Sequence, residues 1–161
     1  MLRKKILSIA VVACLVVPAG TAVAGETQQL GGERTRIDIQ AMDYHFMLQD
    51  GSDFPSKLDR GEYRFRFHNG SEKRLHEVVM IKLRHGKRIK QLLRMSDKKV
   101  EKHIRFIGAT GAQPGEDGKP FNARLIRGRY AMLCFVTNRR GAKPHMLKGM
   151  IHRFNVDVPW G

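Results

Sequence analysis

Three potential metal ligands lie close together in the last third of the sequence. Cys134 ends an apolar run, His145 follows in a Pro-His pair, and Met150 follows in a Gly-Met pair. One strand-loop-strand segment can therefore supply a thiolate, an imidazole and a thioether. His76 is a fourth candidate, because it lies in the apolar run Leu75-His76-Glu77-Val78-Val79, which is typical of a buried strand. Sulfur ligands hold Cu(I) and imidazole holds both copper oxidation states, so this donor set suits one copper ion.

The order of these residues resembles the cupredoxin family of blue, type-1 copper proteins. The resemblance is carried by His76, by Tyr-x-x-x-Cys at residues 130–134, and by Pro-His-x-x-x-Gly-Met at residues 144–150. It covers residues 61–156 and is closest to small exported bacterial cupredoxin-like proteins. It implies an all-β, Greek-key β-sandwich with one inserted amphipathic helix.

The same resemblance implies a site and a role. His76, Cys134 and His145 would hold copper in one plane, with Met150 as a weak axial ligand. His145 would lie near the surface, beside Pro144, Met146 and Leu147, and His76 would be buried. The protein would carry single electrons between redox partners.

Two features depart from the family pattern: many blue-copper proteins have Asn where this chain has Glu77, and the loop from Cys134 to His145 is long and carries Arg139 and Arg140.

The amino terminus has the pattern of a secretory signal. A basic Arg3-Lys4-Lys5 group precedes an apolar stretch over residues 6–17, and Ala22-Val23-Ala24 resembles a cleavage site. We therefore expect residues 1–24 to be removed on export to the periplasm or the cell exterior. The alternative is a lipoprotein, in which Cys14 would become a lipid anchor.

Removal of that segment would leave one cysteine of the two in the sequence. An unpaired thiol in an oxidising compartment is buried and inert, used between molecules, or held by a metal. The positions of His145 and Met150 favour the metal for Cys134.

Residues 25–161 are long enough for a single domain, and strand patterns dominate them. In residues 63–68 aromatic and basic side chains alternate, as a half-buried strand requires. Strands are predicted at 35–40, 44–48, 63–68, 76–83, 121–126, 129–136 and 151–158. Apolar residues recur at helical spacing over 88–107, which predicts the inserted helix, and the glycine- and proline-rich residues 108–120 indicate a surface loop.

The chain is strongly cationic, with a formal net charge of +15. An exported protein rarely meets nucleic acid, and the sequence has no nucleic-acid-binding motif. We expect a redox partner with an acidic docking surface, or an anionic membrane surface, and a monomeric protein. A charged face that only keeps the protein soluble is the alternative.

Other functions remain open. The same ligands could store or deliver Cu(I) without electron transfer, or the domain could be an interaction module without metal. Met42, His45 and Met47 could form a second, Cu(I)-type site. No nucleophile triad, paired-carboxylate motif or phosphate-binding glycine loop is present, so we do not expect an enzyme.

Overall fold

Two β-sheets pack face to face in this computed structural model, which describes residues 34–84 and 86–157. The first sheet has the strand order β2-β1-β4-β7, and the second has the order β3-β9-β8-β5-β6. The strands are β1 Thr35–Met42, β2 His45–Leu48, β3 Lys57–Leu58, β4 Gly61–Asn69, β5 His76–Leu83, β6 Ile104–Ala112, β7 Asp117–Leu125, β8 Gly128–Leu133 and β9 Ile151–Val156. The predicted β-sandwich is confirmed.

The alternating pattern in β4 explains how the sandwich forms. Tyr63, Phe65 and Phe67 are buried between the sheets, whereas Arg64 and Arg66 are exposed. Such alternation fixes the strand register, because a slip by one residue would turn the arginines into the core. The larger core cluster joins the inner faces of both sheets, and it includes His76's strand neighbours Val78 and Met80.

Three neighbouring strands of the second sheet bring the candidate ligands to one end. His76 is the first residue of β5, Cys134 directly follows β8, and Met150 directly precedes β9. The strands are antiparallel, and Leu133 pairs with Val79 on one side and with Ile151 on the other. The start of β5, the end of β8 and the start of β9 therefore meet at the same edge of the sandwich.

The prediction of one helix over residues 88–107 is wrong in extent. Two short helices, α1 (Ile89–Leu92) and α2 (Asp97–His103), replace it, and Ser96 lies at the start of α2. The remainder is strand, because Ile104–Ala112 pairs along the whole of β5. A β-branched and aromatic run next to an open strand edge gains more from pairing than from continuing a helix.

The predicted loop over residues 108–120 is also wrong. It contains the end of β6, a short turn and the start of β7. Gly108 misled the prediction because its role is packing: a Cβ at this position would collide with the ring of Phe121. Glycine inside a strand often marks such a close approach.

Smaller differences concern strand ends. Tyr44 lies in the β1–β2 turn and not in β2, β8 ends at Leu133, and the two-residue strand β3 was not foreseen.

The described residues belong to one compact unit. The predicted signal over residues 1–24 lies outside the described residues. No helix among the described residues is long and apolar enough to cross a membrane.

Candidate metal centre

Three donor atoms converge in the buried edge where β5, β8 and β9 meet. The Nδ1 atoms of His76 and His145 are 3.2 Å apart, and the Sγ atom of Cys134 lies 3.9 Å and 3.6 Å from them respectively. The centre of this triangle is about 2.1 Å from all three atoms, which is the usual length of a metal bond to imidazole nitrogen and close to that for thiolate sulfur. The donor set and its spacing therefore fit one metal ion.

Backbone hydrogen bonds fix the segment that carries Cys134 and His145. The Met146 N–H donates to the Cys134 carbonyl at 2.8 Å, and the His145 N–H donates to the Val136 carbonyl at 2.8 Å. The Cys134 N–H donates to the Met150 carbonyl at 3.3 Å. These bonds fold the segment back on itself, so that residues distant in sequence become neighbours.

Gly149 makes the return into β9 possible. The chain forms a 3₁₀ turn over His145–Lys148, and Gly149 follows it with φ of 113°. This left-handed conformation is accessible to glycine and costly for most other residues. It places Met150 in the core cluster that also contains Cys134, with no exposed surface.

Both imidazoles are held in the neutral form that binds metals. Burial, with a smaller contribution from the charge of His145, lowers the pKa of His76 from 6.5 to about 4. Burial also lowers the pKa of His145, and the nearby charges of Lys148 and Arg74 act in the same direction. A metal ligand must be deprotonated at the binding nitrogen, so these shifts favour binding at neutral pH.

Unlike the two imidazoles, the thiol of Cys134 is not in its metal-binding form at neutral pH in the metal-free protein. Burial raises its pKa to about 11, although the backbone N–H groups of Glu77 and Val136 donate to the sulfur and oppose that rise. Without a cation, the thiol therefore keeps its proton at neutral pH. A bound metal ion supplies the positive charge that stabilises a thiolate in such a place.

Asn138 and Tyr44 complete the surroundings of His145. Asn138 Nδ2 donates to Tyr44 Oη at 3.1 Å, which turns Asn138 Oδ1 toward His145 Nε2 at 2.5 Å. The imidazole thus carries its proton on Nε2 and leaves Nδ1 free for a metal. The Tyr44 ring packs edge-on against His145, with centroids 4.9 Å apart. Sequence reasoning missed both residues, because neither belongs to a ligand motif.

The family resemblance implied that His145 lies near the surface, and this expectation is wrong. Both His145 and His76 are fully buried, and exposed Asn138 covers the outer nitrogen of His145. Of the apolar neighbours expected to form a docking patch, Leu147 is 51% exposed, whereas Met146 packs inward against helix α1 and the second sheet. The long loop explains the difference, since it is this loop that supplies the covering Asn138.

Glu77 joins the two ligand-bearing segments. Its Oε1 accepts a hydrogen bond of 2.9 Å from the N–H of Phe135, the residue after Cys134. Burial raises the pKa of Glu77, and this hydrogen bond opposes the shift. Gly111 on β6 is the cross-strand partner of Glu77 on β5. It leaves room for the Glu77 side chain, because a Cβ on residue 111 would lie only 3.2 Å from the Glu77 Cβ.

Replacing Glu77 with glutamine tests the effect of its charge. The Glu77→Gln variant keeps the acceptor for Phe135 and removes a negative charge near the Cys134 sulfur. Since that charge favours the more positive metal state, we expect the reduction potential of the copper-loaded protein to rise, on the order of tens of millivolts. Voltammetry of both proteins measures the shift. Glu77→Ala is the companion variant, because it also removes the hydrogen bond; an unchanged or lower potential in Glu77→Gln would contradict the expectation.

The possible second site is on the outer face of the first sheet. Met42 and His45 are direct cross-strand partners beside the β1–β2 turn, and Met47 lies two residues farther along β2. His45 is exposed, and Met42 contacts Gln40 Nε2 at 3.7 Å. The structure does not bring the three into a buried cluster.

Solved structures of copper proteins resemble this chain, whereas no protein-family model and no curated protein matches its sequence. Reduced auracyanin from the photosynthetic bacterium Roseiflexus castenholzii has 17% sequence identity over 80% of this chain and 100% of its own, with a TM-score of 0.50. Auracyanin A, a "blue" copper protein of Chloroflexus aurantiacus, has 13% identity over 78% of this chain and 100% of its own, with a TM-score of 0.50. Reduced rusticyanin has 16% identity over 79% of this chain and 81% of its own, with a TM-score of 0.53.

Proposed function

With the fold of the cupredoxins established by these similarities, we propose that this protein is an exported type-1 copper protein that carries single electrons between redox partners. One observation carries the proposal: two imidazole Nδ1 atoms and one thiol sulfur converge at metal-binding distances inside a rigid sandwich. Export is supported by the signal pattern of residues 1–24.

His76, Cys134 and His145 would hold the copper, with Met150 as the fourth ligand. Copper would supply a centre that gains and loses one electron. The protein's own part is to keep the donors in place in both states: β5 fixes His76, the backbone bonds of residues 134–150 fix Cys134 and His145, and Asn138 orients the imidazole of His145. A site that is already formed needs little reorganisation when the electron moves.

Burial of the donors favours electron transfer over catalysis on a substrate. His76, Cys134, His145 and Met150 are all fully buried. A catalytic metal site keeps an open position for substrate or water. A buried site can still exchange electrons, because electrons do not require direct contact between the metal and the partner.

The reduction potential of the copper-loaded protein tests this function. We expect voltammetry to show one reversible one-electron wave, carried by a single copper per chain. A protein that binds Cu(I) tightly but shows no reversible wave would be a copper carrier or store. A protein that binds neither copper state would be a metal-free interaction module.

Replacing Met150 with leucine should have a mild effect. The Met150→Leu substitution conserves side-chain volume, so we expect less than about 1.5 kcal/mol of lost stability. As a weak fourth ligand, Met150 would add little to copper affinity but would favour Cu(II) over Cu(I), so the visible band should remain in the variant and the reduction potential should rise. Spectroscopy and voltammetry measure both quantities. A variant that matches the parent protein in both would exclude Met150 from the site.

The partner is proposed to dock near the long loop. Arg139 and Arg140 are exposed on the loop that supplies Asn138, whereas Lys98 and Lys99 are exposed on helix α2. Electrostatic steering acts over a Debye length of about 8 Å at physiological ionic strength, so position matters. We expect Arg139→Glu with Arg140→Glu to slow electron transfer to an acidic partner more than Lys98→Glu with Lys99→Glu. Stopped-flow kinetics measure the rates. Equal slowing by the two pairs of substitutions would contradict docking of the partner at the loop that carries Arg139 and Arg140.

A further inference from the structure

Helices α1 and α2 and their flanks carry a concentrated positive surface. Six exposed cations form what we call the cationic face: Arg88, Lys90, Arg94, Lys98, Lys99 and Lys102. Acidic residues within this segment are few, namely Asp97 and Glu101. The helices lie over the outer side of the second sheet, because Ile89 and Leu92 are buried in a cluster with Ile81 and Leu133.

The cationic face lacks the charge pairing found on the other side of the sandwich. On the outer face of the first sheet, Asp38 pairs with Arg36 and Arg66, Glu62 pairs with Arg124, and Asp117 pairs with His68. Among the ion pairs of the described residues, none includes a member of the cationic face. The charges of these six residues are therefore not offset by any of those ion pairs.

Like charges are also crowded beside this face. Arg84 and Arg105 flank the helical segment and are exposed. Together with burial, which has the larger effect, their charges lower the pKa of Lys82 on β5. Such crowding costs free energy in the isolated protein, and an anionic partner would relieve it.

We propose that the cationic face binds an anionic lipid surface and holds the protein on a membrane. Ile89 and Leu92, the apolar side chains of α1, are buried, so this helix offers no exposed apolar centre of the kind that specific protein interfaces use. A layer of anionic headgroups requires only several cations on one face, each worth about 1 kcal/mol. Phe106, which is 55% exposed on the edge strand β6 next to Arg105, is placed to enter the interface between headgroups and acyl chains.

Binding by this face leaves the copper end accessible. The helical segment that carries the cationic face follows Leu83, the last residue of β5, whereas the proposed ligand His76 is the first residue of the same strand. The strand separates these ends by roughly 23 Å at 3.3 Å per residue. A protein held on its helical side can thus still present the loop of Arg139 and Arg140 to a second protein.

Vesicle binding tests the proposal with the copper-free protein, so that the result does not depend on copper. We expect co-sedimentation with phosphatidylcholine vesicles that contain phosphatidylglycerol, little with pure phosphatidylcholine, and release by added salt. Lys98→Glu with Lys102→Glu should weaken binding by about thirty-fold or more. The matched control, Arg64→Glu with Lys119→Glu, makes the same charge change at exposed residues of the first sheet. Neither residue takes part in an ion pair with another described residue, and this control should weaken binding far less.

Three outcomes would overturn the proposal. No binding to the phosphatidylglycerol vesicles would exclude the lipid surface. Equal weakening by the two pairs of substitutions, or by neither, would show that net charge or another segment is responsible. Retention of the protein by soluble polyglutamate, with no binding to vesicles, would assign the face to an acidic protein instead.

Discussion

Replacing Cys134 with serine should abolish the intense visible absorption of the copper-loaded protein. The band arises from charge transfer between thiolate sulfur and Cu(II), and a hydroxyl group cannot replace it. Copper affinity should fall by more than about 100-fold. Even the loss of a hydrogen-bond partner of a metal ligand lowers metal affinity by about 10–100-fold, and here the ligand itself is lost. Absorption spectroscopy and a copper competition titration measure the two effects.

A variant that fails to fold would lose the band for a different reason, so folding needs its own control. Cys134 is fully buried, and serine adds a polar group of similar size there. Circular dichroism of copper-free Cys134→Ser and Cys134→Ala shows whether the sandwich is retained. A folded serine variant that kept the band would remove Cys134 from the site.

The copper-free protein should lose stability as the pH falls from about 6.5 to about 4. The pKa of His76 is about 4 in the folded chain and near 6.5 when unfolded, so the unfolded chain binds more protons within this window. The free energy of unfolding should fall by about 3 kcal/mol from this residue alone. The lowered pKa of His145 adds a loss of the same sign. Urea unfolding at a series of pH values measures the change.

Carboxyl groups also titrate toward the acidic end of this window, so the contribution of His76 must be separated. A His76→Gln variant lacks the group and should show a flatter dependence of stability on pH. Copper should also flatten it, because the metal occupies the nitrogen that the proton would take. If His76→Gln and the parent protein lost stability in parallel, the assigned cause would be wrong.

The sequence predicted best where a side-chain pattern and a strand coincide. The strand over residues 76–83 was predicted with its observed ends, because a mostly apolar run begins near His76 and passes into charged residues after Leu83. Cys134, His145 and Met150 were predicted together because their order and spacing form a family motif. Convergence of the first two with His76 follows from the antiparallel pairing of β5, β8 and β9.

The sequence predicted poorly where distant residues decide the outcome. Val100, Ile104 and Ile107 continue a helical pattern, but pairing of Ile104–Ala112 with β5 makes the second part of the segment a strand. Burial of His145 depends on Asn138 and Tyr44, which reach it from a long loop and from the β1–β2 turn. No local pattern marks either residue, because their contacts exist only after both sheets have assembled.

The visible spectrum of the purified protein during titration with Cu(II) tests the central claim most directly. The converging Nδ1 atoms of His76 and His145 and the Sγ atom of Cys134 predict an intense charge-transfer band. The band should grow until one copper is bound per chain and should disappear on reduction. Weak absorption alone, or no absorption at one equivalent of copper in a folded protein, would contradict a type-1 copper site.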